Sequence, residues 1–289
     1  MDDLSEPLFK TNVVSYLKLA IVLFAFVAAC SCSSIKPQLC TNQVRRWTFG
    51  DEPRYKGAVR SVLLSEQIYE FEGDFIYLHD KPIPKTLFDF DPAGKLLRKT
   101  DYLVDGKPTA PTEYVYDDNG LLIHENSISG IDGKPYLDTE YSYNEDGTNS
   151  EIRQVSLEEG VVYSIWKFQN DTENNYSEFV ATKTNGKFEM KLGIKRDERC
   201  RIDEIYAFPY VGLSLGRSKI SYDQNDNVIA SNAYYPLGIS AEKRKYEYEF
   251  DTVGNWTKRT DYSWKKDNAG NSDWKLMNEQ FRKIEYYNQ

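Results

Sequence analysis

The side chains able to do chemistry in these 289 residues form a narrow set: two histidines, four cysteines and scattered carboxylates. His79 sits in Leu78-His79-Asp80-Lys81-Pro82, a turn, and His124 ends an apolar strand segment. Neither lies near a cysteine at a zinc-binding spacing. The chain contains no Gly-x-Ser-x-Gly elbow, phosphate loop or His-Glu-x-x-His. Glu247 and Glu249 are a carboxylate pair of the kind that cleaves glycosidic bonds. They alternate with Tyr246 and Tyr248, however, so a strand puts the acids on one face and the rings on the other, a solvated face behind a packed one. The recurrent Asp-x-x-Gly supplies one acid per turn and lacks the dense acid ladder of a calcium loop. We expect no catalytic residues, no cofactor and no metal. Trp166, Trp256, Trp264 and Trp274 offer rings that stack on sugars or peptide side chains, which makes a glycan or protein ligand the expected kind of partner.

One cysteine has a different chemistry available. Leu19 to Ala29 reads LAIVLFAFVAA, an uncharged run preceded by Lys18 and followed by Cys30. It is shorter than the ~20 apolar residues of a membrane-spanning helix and suits the core of a secretory signal. Val27-Ala28-Ala29-Cys30 resembles the lipobox of bacterial lipoproteins. The resemblance implies cleavage before Cys30, acylation of that cysteine and attachment to a membrane through its lipid. The long leader with Asp2, Asp3 and Glu6 departs from the pattern. Ser31, and the lack of an acid through Lys36, imply an outer-membrane location facing the periplasm. Cys32, Cys40 and Cys200 are then an odd set in an oxidising compartment, enough for one disulfide whose pairing stays open.

The elements that must position these groups are repetitive. Phe88-Asp-Phe-Asp-Pro-Ala-Gly94, Tyr114-Val-Tyr-Asp-Asp-Asn-Gly120, Tyr141-Ser-Tyr-Asn-Glu-Asp-Gly147 and Tyr248-Glu-Phe-Asp-Thr-Val-Gly254 share one template, with weaker copies at Trp166, Leu192 and Ile220. Its fourth position falls on Asp91, Asp117, Asn144, Gln169, Lys195, Asp223 and Asp251. A second series, Asp105-Gly106, Asp132-Gly133, Glu159-Gly160, Asn185-Gly186, Gly212 and Gly238, runs half a period out of phase. Aromatic-x-aromatic places two rings on one face of a strand, and Asp with a following Gly makes a tight turn. Each unit is therefore a β-hairpin. A composition of 14% aromatic residues, with 22 tyrosines, agrees with strands.

We divide the chain into a signal peptide over 1–29, a lipidated tether over 30–50 and a repeat domain over 51–289 of about seven units, 26–28 residues each. The expected fold is all-β: an antiparallel meander of hairpins in a strongly twisted, curved open sheet or spiral, since open sheets beyond ~10 strands curl or split. A net charge of −9 without a long basic run excludes the electrostatic footprint of a nucleic-acid binder.

Tyr248-Glu249-Phe250-Asp251-Thr252-Val253-Gly254-Asn255 resembles the RHS/YD-repeat family, and Gly57-Ala-Val-Arg-Ser-Val62 resembles the opening strand of small repeat lipoproteins of the Bacteroidota. Asp251-Thr252-Val253 also resembles a short O-glycosylation acceptor, with Thr252 as its hydroxyl. Together these resemblances imply a non-catalytic envelope lipoprotein that presents a β-repeat binding or scaffolding surface. The alternatives are a glycan-binding or glycan-active envelope protein, or an accessory or immunity factor of a secreted toxin.

Overall fold

The computed structural model describes residues 55–69, 81–145, 147–171, 174–208, 216–266 and 270–287. The strands are β1 (Val59–Ile68), β2 (Ile83–Phe90), β3 (Leu96–Asp101), β4 (Thr112–Tyr116), β5 (Leu122–Ile128), β6 (Pro135–Tyr143), β7 (Asn149–Ser156) and β8 (Val161–Asp171), followed by β9 (Tyr176–Lys183), β10 (Phe188–Arg196), β11 (Ile202–Phe208), β12 (Gly216–Tyr222), β13 (Val228–Tyr234), β14 (Ser240–Phe250), β15 (Trp256–Lys266) and β16 (Ser272–Tyr286). Every pairing is antiparallel, and each strand pairs with its sequence neighbours.

The all-β hairpin meander is as expected, but the open edge is not. β1 pairs with β16, from Val59↔Tyr286 to Ile68↔Asn278, and the sheet is a closed barrel of 16 strands. An open sheet would leave one row of backbone donors and acceptors unpaired on each end strand, and closure satisfies both rows at once. Seven hairpins, β2–β3 through β14–β15, carry the aromatic template; β1 and β16 complete the ring.

The template's turns share one construction. In the first, Asp91 N donates to Lys95 O, Gly94 N donates to Asp91 O, and Asp91 Oδ1 accepts from Lys95 N. Asp117, Asp197, Asp223 and Asp251 repeat it. The fourth residue of the turn is left-handed at Gly94, Gly120, Gly147 and Gly254 and, without glycine, at Cys200 and Asp226; in the turn after Asp171 the left-handed residue is the fifth, Asn175. Two turn positions therefore move from their sequence assignment. The turn aspartates of the fourth and fifth hairpins are Asp171 and Asp197, two residues beyond Gln169 and Lys195. Without the glycine marker, the aromatic spacing alone set the earlier register.

Four of the seven hairpins are stapled to the one before them by a tyrosine hydroxyl. Tyr116, Tyr143, Tyr222 and Tyr248 donate their hydroxyls to the carbonyls of Leu96, Leu122, Ile202 and Val228 at 2.9, 2.6, 2.8 and 2.7 Å. Each accepting residue lies two positions past a turn and is buried. The first template residues Phe88, Tyr114 and Tyr141 are buried on the same face, as is Tyr246, two residues ahead of the last copy. Two core clusters line this face, one on β1–β7 and one on β9–β14, and both pack against Trp166 and Phe168 of β8.

Candidate functional site

Paired residues share a face and successive residues alternate, so register sorts every strand into a luminal and an outward set. Tyr141, Ile152, Trp166 and Ala181 follow one another across β6–β9 on the luminal, core-bearing face. Glu140 and Arg153 are partners on the opposite face. Between β6 and β16 the outward face carries ion pairs: Arg153–Glu140 at 3.4 Å, Lys191–Glu178 at 2.7 Å, Arg217–Glu204 at 3.3 Å, Lys245–Glu247 at 2.9 Å and Lys258–Glu279 at 2.7 Å. A lipid-facing wall carries an apolar band ~25 Å tall, and a Lys or Arg at its midplane costs about 2–4 kcal/mol. The ion pairs on this wall depart from such a band.

The lumen changes character along its axis. Near the aromatic-flanked turns the two core clusters line it, with Arg282 lying over Trp256. Farther from them, on β14–β16 and β1–β3, it is charged. Arg259 holds Asp261 through both nitrogens at 2.7 and 2.8 Å and lies 5.1 Å from the Tyr246 ring centroid. Burial raises the Asp261 carboxyl against the pull of Arg259. Burial also works to lower the Arg259 pKa, but Asp261 and the nearby tyrosines outweigh it and hold the guanidinium charged. Arg244–Glu242 at 2.8 Å and Lys85–Glu66 at 3.1 Å extend the cluster. Each of these acids has a cation beside it.

The Asp-Gly turns form the opposite rim, and their geometry pushes large apolar side chains into solvent. In the β3–β4 connection Leu103 N donates to Lys107 O and Gly106 N to Leu103 O, while Gly106 has φ +79°. Asp105 Oδ1 accepts from Lys107 N, and the Lys107 side chain beside it lowers the Asp105 pKa. Asp132 is lowered in the next turn by the Ser129 hydroxyl. These caps fix the turns, leaving Leu103, Val104 and Ile131 on the tips; Ile131 is 99% exposed. Leu157, Val161, Tyr163, Tyr136, Tyr235 and Ile239, also exposed, sit at the same end. Neighbouring connections touch: Leu157 N donates to Tyr136 O. Several large apolar side chains exposed at one end of a charged barrel make that end a candidate interaction site.

The side chains singled out from the sequence do not converge. Cys30, Cys32, Cys40 and His79 lie outside the described residues. Cys200 is disulfide-bonded and 1% exposed. His124 Nδ1 contacts Asp138 Oδ2 at 2.8 Å. Glu247 and Glu249 are outward, paired with Lys245 and Lys258, and opposite the luminal Tyr246 and Tyr248, as their alternation implies. Trp166 is luminal against Phe179, and Trp256 is stacked by Arg282 at 3.4 Å. Trp264 and Trp274 pair edge to face at 5.2 Å on the outer wall, where Lys245 covers Tyr262 and Trp274 at 4.3 and 5.6 Å. Thr252 is exposed at its turn tip. Among the described residues no group of three or more His, Cys, Asp or Glu is placed to hold a metal ion, and no helix is long and apolar enough to cross a membrane. The rim was missed in the sequence, although its signal was there: an aliphatic residue directly before the turn aspartate in Val104-Asp105 and Ile131-Asp132.

No family model and no curated protein matches this chain. Among solved structures, a porin-like protein from Bacteroides uniformis superposes with a TM-score of 0.52 at 13% identity, covering 80% of this chain and 99% of that one. That likeness concerns the fold. A protein of unknown function from Bacteroides fragilis (16% identity, 57% of this chain, 91% of that one) and a TcdB2-TccC3-Cdc42 complex (12% identity, 66% of this chain, 16% of that one) reach TM-scores of only 0.16 and 0.14, too low to bear on the fold.

Proposed function

We propose that this chain is a non-catalytic envelope lipoprotein, anchored through an acylated Cys30, whose barrel stands in water and binds a protein partner at its Asp-Gly rim. The observation that carries the reading is the division of the surface: ion pairs on the outer wall, aliphatic and aromatic tips at one end. The wall argues against a pore even though the fold is porin-like, because burying those pairs in lipid costs several kcal/mol. The tips favour protein over glycan. Sugars stack on flat rings, whereas most of the exposed apolar rim residues (Leu103, Val104, Ile131, Leu157, Val161 and Ile239) are aliphatic beside the three rings of Tyr136, Tyr163 and Tyr235, and on the outer wall Lys245 already covers the Trp274 and Tyr262 rings. The resemblance to RHS/YD repeats and to Bacteroidota lipoproteins supports the same envelope setting.

The test has two arms. In planar bilayers the purified protein should show no conductance; reproducible single-channel steps would overturn the water-facing barrel. In intact cells, cross-linking from the rim should give a discrete adduct that disappears in a Leu103→Asp, Ile131→Asp, Leu157→Asp variant with unchanged thermal stability. An adduct of equal yield in that variant would remove the rim from the reading. Cys30→Ala should release the protein from the membrane fraction; retention there would remove the anchor.

A further inference from the structure

We propose that Arg244, Ser263 and Lys275, in one row across the luminal wall just inside the Asp-Gly mouth, bind a tetrahedral oxyanion, a phosphate or sulfate group. The inference concerns the interior of the barrel and depends neither on a partner at the rim nor on the lipid anchor.

The register builds the row. Arg244 of β14 pairs with Ser263 of β15, and Ser263 pairs with Lys275 of β16. Ser263 lies between the outward Tyr262 and Trp264, so alternation turns it into the lumen. Its two partners share that face, and directly opposed residues on neighbouring strands hold their Cβ atoms about 5 Å apart. Two long cationic side chains therefore flank one small hydroxyl. β15 ends at Lys266, which places the row close to the mouth, and Lys275 is exposed there.

Each member has donors to offer. Ser263 is 1% exposed, yet its Oγ has no hydrogen-bond partner among the described residues. Buried polar atoms are almost always satisfied, and an exception calls for a molecule that completes it. Lys275 makes no ion pair among the described residues. Glu242 occupies only Nε of Arg244, at 2.8 Å, which leaves the two terminal nitrogens for another acceptor. The row beneath, Tyr246–Asp261–Asn278, brings no competing anion, because Arg259 holds both oxygens of Asp261.

The donor set selects the ligand. A carboxylate presents two coplanar oxygens, which one guanidinium fork satisfies by itself. A guanidinium, a hydroxyl and an ammonium arriving from three strands of a concave wall match the separate oxygens of a tetrahedral group. The chain carries −9 overall, so its long-range field repels anions, and retention at this row comes from the local donors.

The experiment titrates inorganic phosphate into the purified full chain by calorimetry and follows Tm alongside. We expect saturable binding that raises Tm, as any ligand of the folded state does. Ser263→Ala and Lys275→Gln should each weaken it about ten-fold, the scale of one charge-assisted hydrogen bond. Without phosphate, Ser263→Ala should melt at or above the wild type, since it deletes an unsatisfied polar atom. Lys245→Gln, on the outer wall, should leave binding unchanged. Sulfate should compete, and acetate should bind several-fold more weakly. Glycerol phosphate run in parallel separates the sources: tighter binding of the ester supports a phosphate group on a larger molecule, and tighter binding of the inorganic ion supports the free anion. No binding at millimolar phosphate, acetate bound as tightly, wild-type binding by Ser263→Ala or Lys275→Gln, or an equal loss in Lys245→Gln overturns the inference.

Discussion

Tyr248→Phe tests the idea that hydroxyl staples between successive hairpins hold the barrel wall. The substitution removes one oxygen, which donates to Val228 O at 2.7 Å. The ring keeps its contacts with Phe250 and Trp256 at 6.0 and 5.9 Å. Val228 is 2% exposed, so water does not readily replace the lost donor. Leaving a buried acceptor without its partner costs about 1–3 kcal/mol. In a domain of this size about 1 kcal/mol moves Tm by roughly 2–4 °C, so a loss near 2 kcal/mol lowers it by about 4–8 °C. The control is Tyr163→Phe, whose hydroxyl is exposed and reaches Glu159 at 3.4 Å; a surface change of this kind stays within about 0.5 kcal/mol. Urea and thermal unfolding of both variants decide the matter. The reasoning fails if Tyr248→Phe melts with the wild type, or if Tyr163→Phe costs as much. Tyr222→Phe should repeat the Tyr248 result, since its bond to Ile202 O has the same construction.

Two other perturbations follow from the luminal side chains. Arg259→Met strips the cation from Asp261, a loss of about 3–5 kcal/mol by urea unfolding, and adding Asp261→Leu should recover much of it; a double change worse than the single one would refute the pairing argument. At alkaline pH the buried tyrosines govern stability. Burial raises Tyr141, Tyr246 and Tyr248 above the usual phenol value and Tyr176 to about 12. A raised folded pKa means that the folded state binds more protons, so this stability is complete below pH ~10 and is lost as pH rises through the folded values. Tyrosinate absorbance should therefore appear together with unfolding; ionisation of every tyrosine near pH ~10 in a still-folded protein would contradict it.

Much of the wall was legible in the residues. Where glycine and aspartate both survive, as at Asp91–Gly94 and Asp251–Gly254, the turn lies where the spacing puts it. Where the left-handed position is held by Asn175 or Cys200, the marker is gone and the aromatic spacing misleads by two residues. The split between outward Glu247 and Glu249 and luminal Tyr246 and Tyr248 was also readable, because strand alternation needs nothing beyond the neighbouring residues. The apolar rim was harder to see. An aliphatic residue beside a turn is ordinary in isolation, and it becomes a surface only when neighbouring hairpins bring several such residues to one end.

The amino-acid order alone dictates the strand class, the hairpin period and the two families of turn, since each depends on φ/ψ preference and side-chain alternation over fewer than ten residues. Closure was settled in three dimensions. β1 and β16 meet across the whole length of the domain through backbone hydrogen bonds, which are the same for every residue type and leave no trace in composition. Whether sixteen twisted strands stop as two open edges or join depends on the accumulated curvature of all of them. That single pairing turns a ribbon into a barrel, separates lumen from outer wall, and places the apolar rim at the end opposite the entry of the chain.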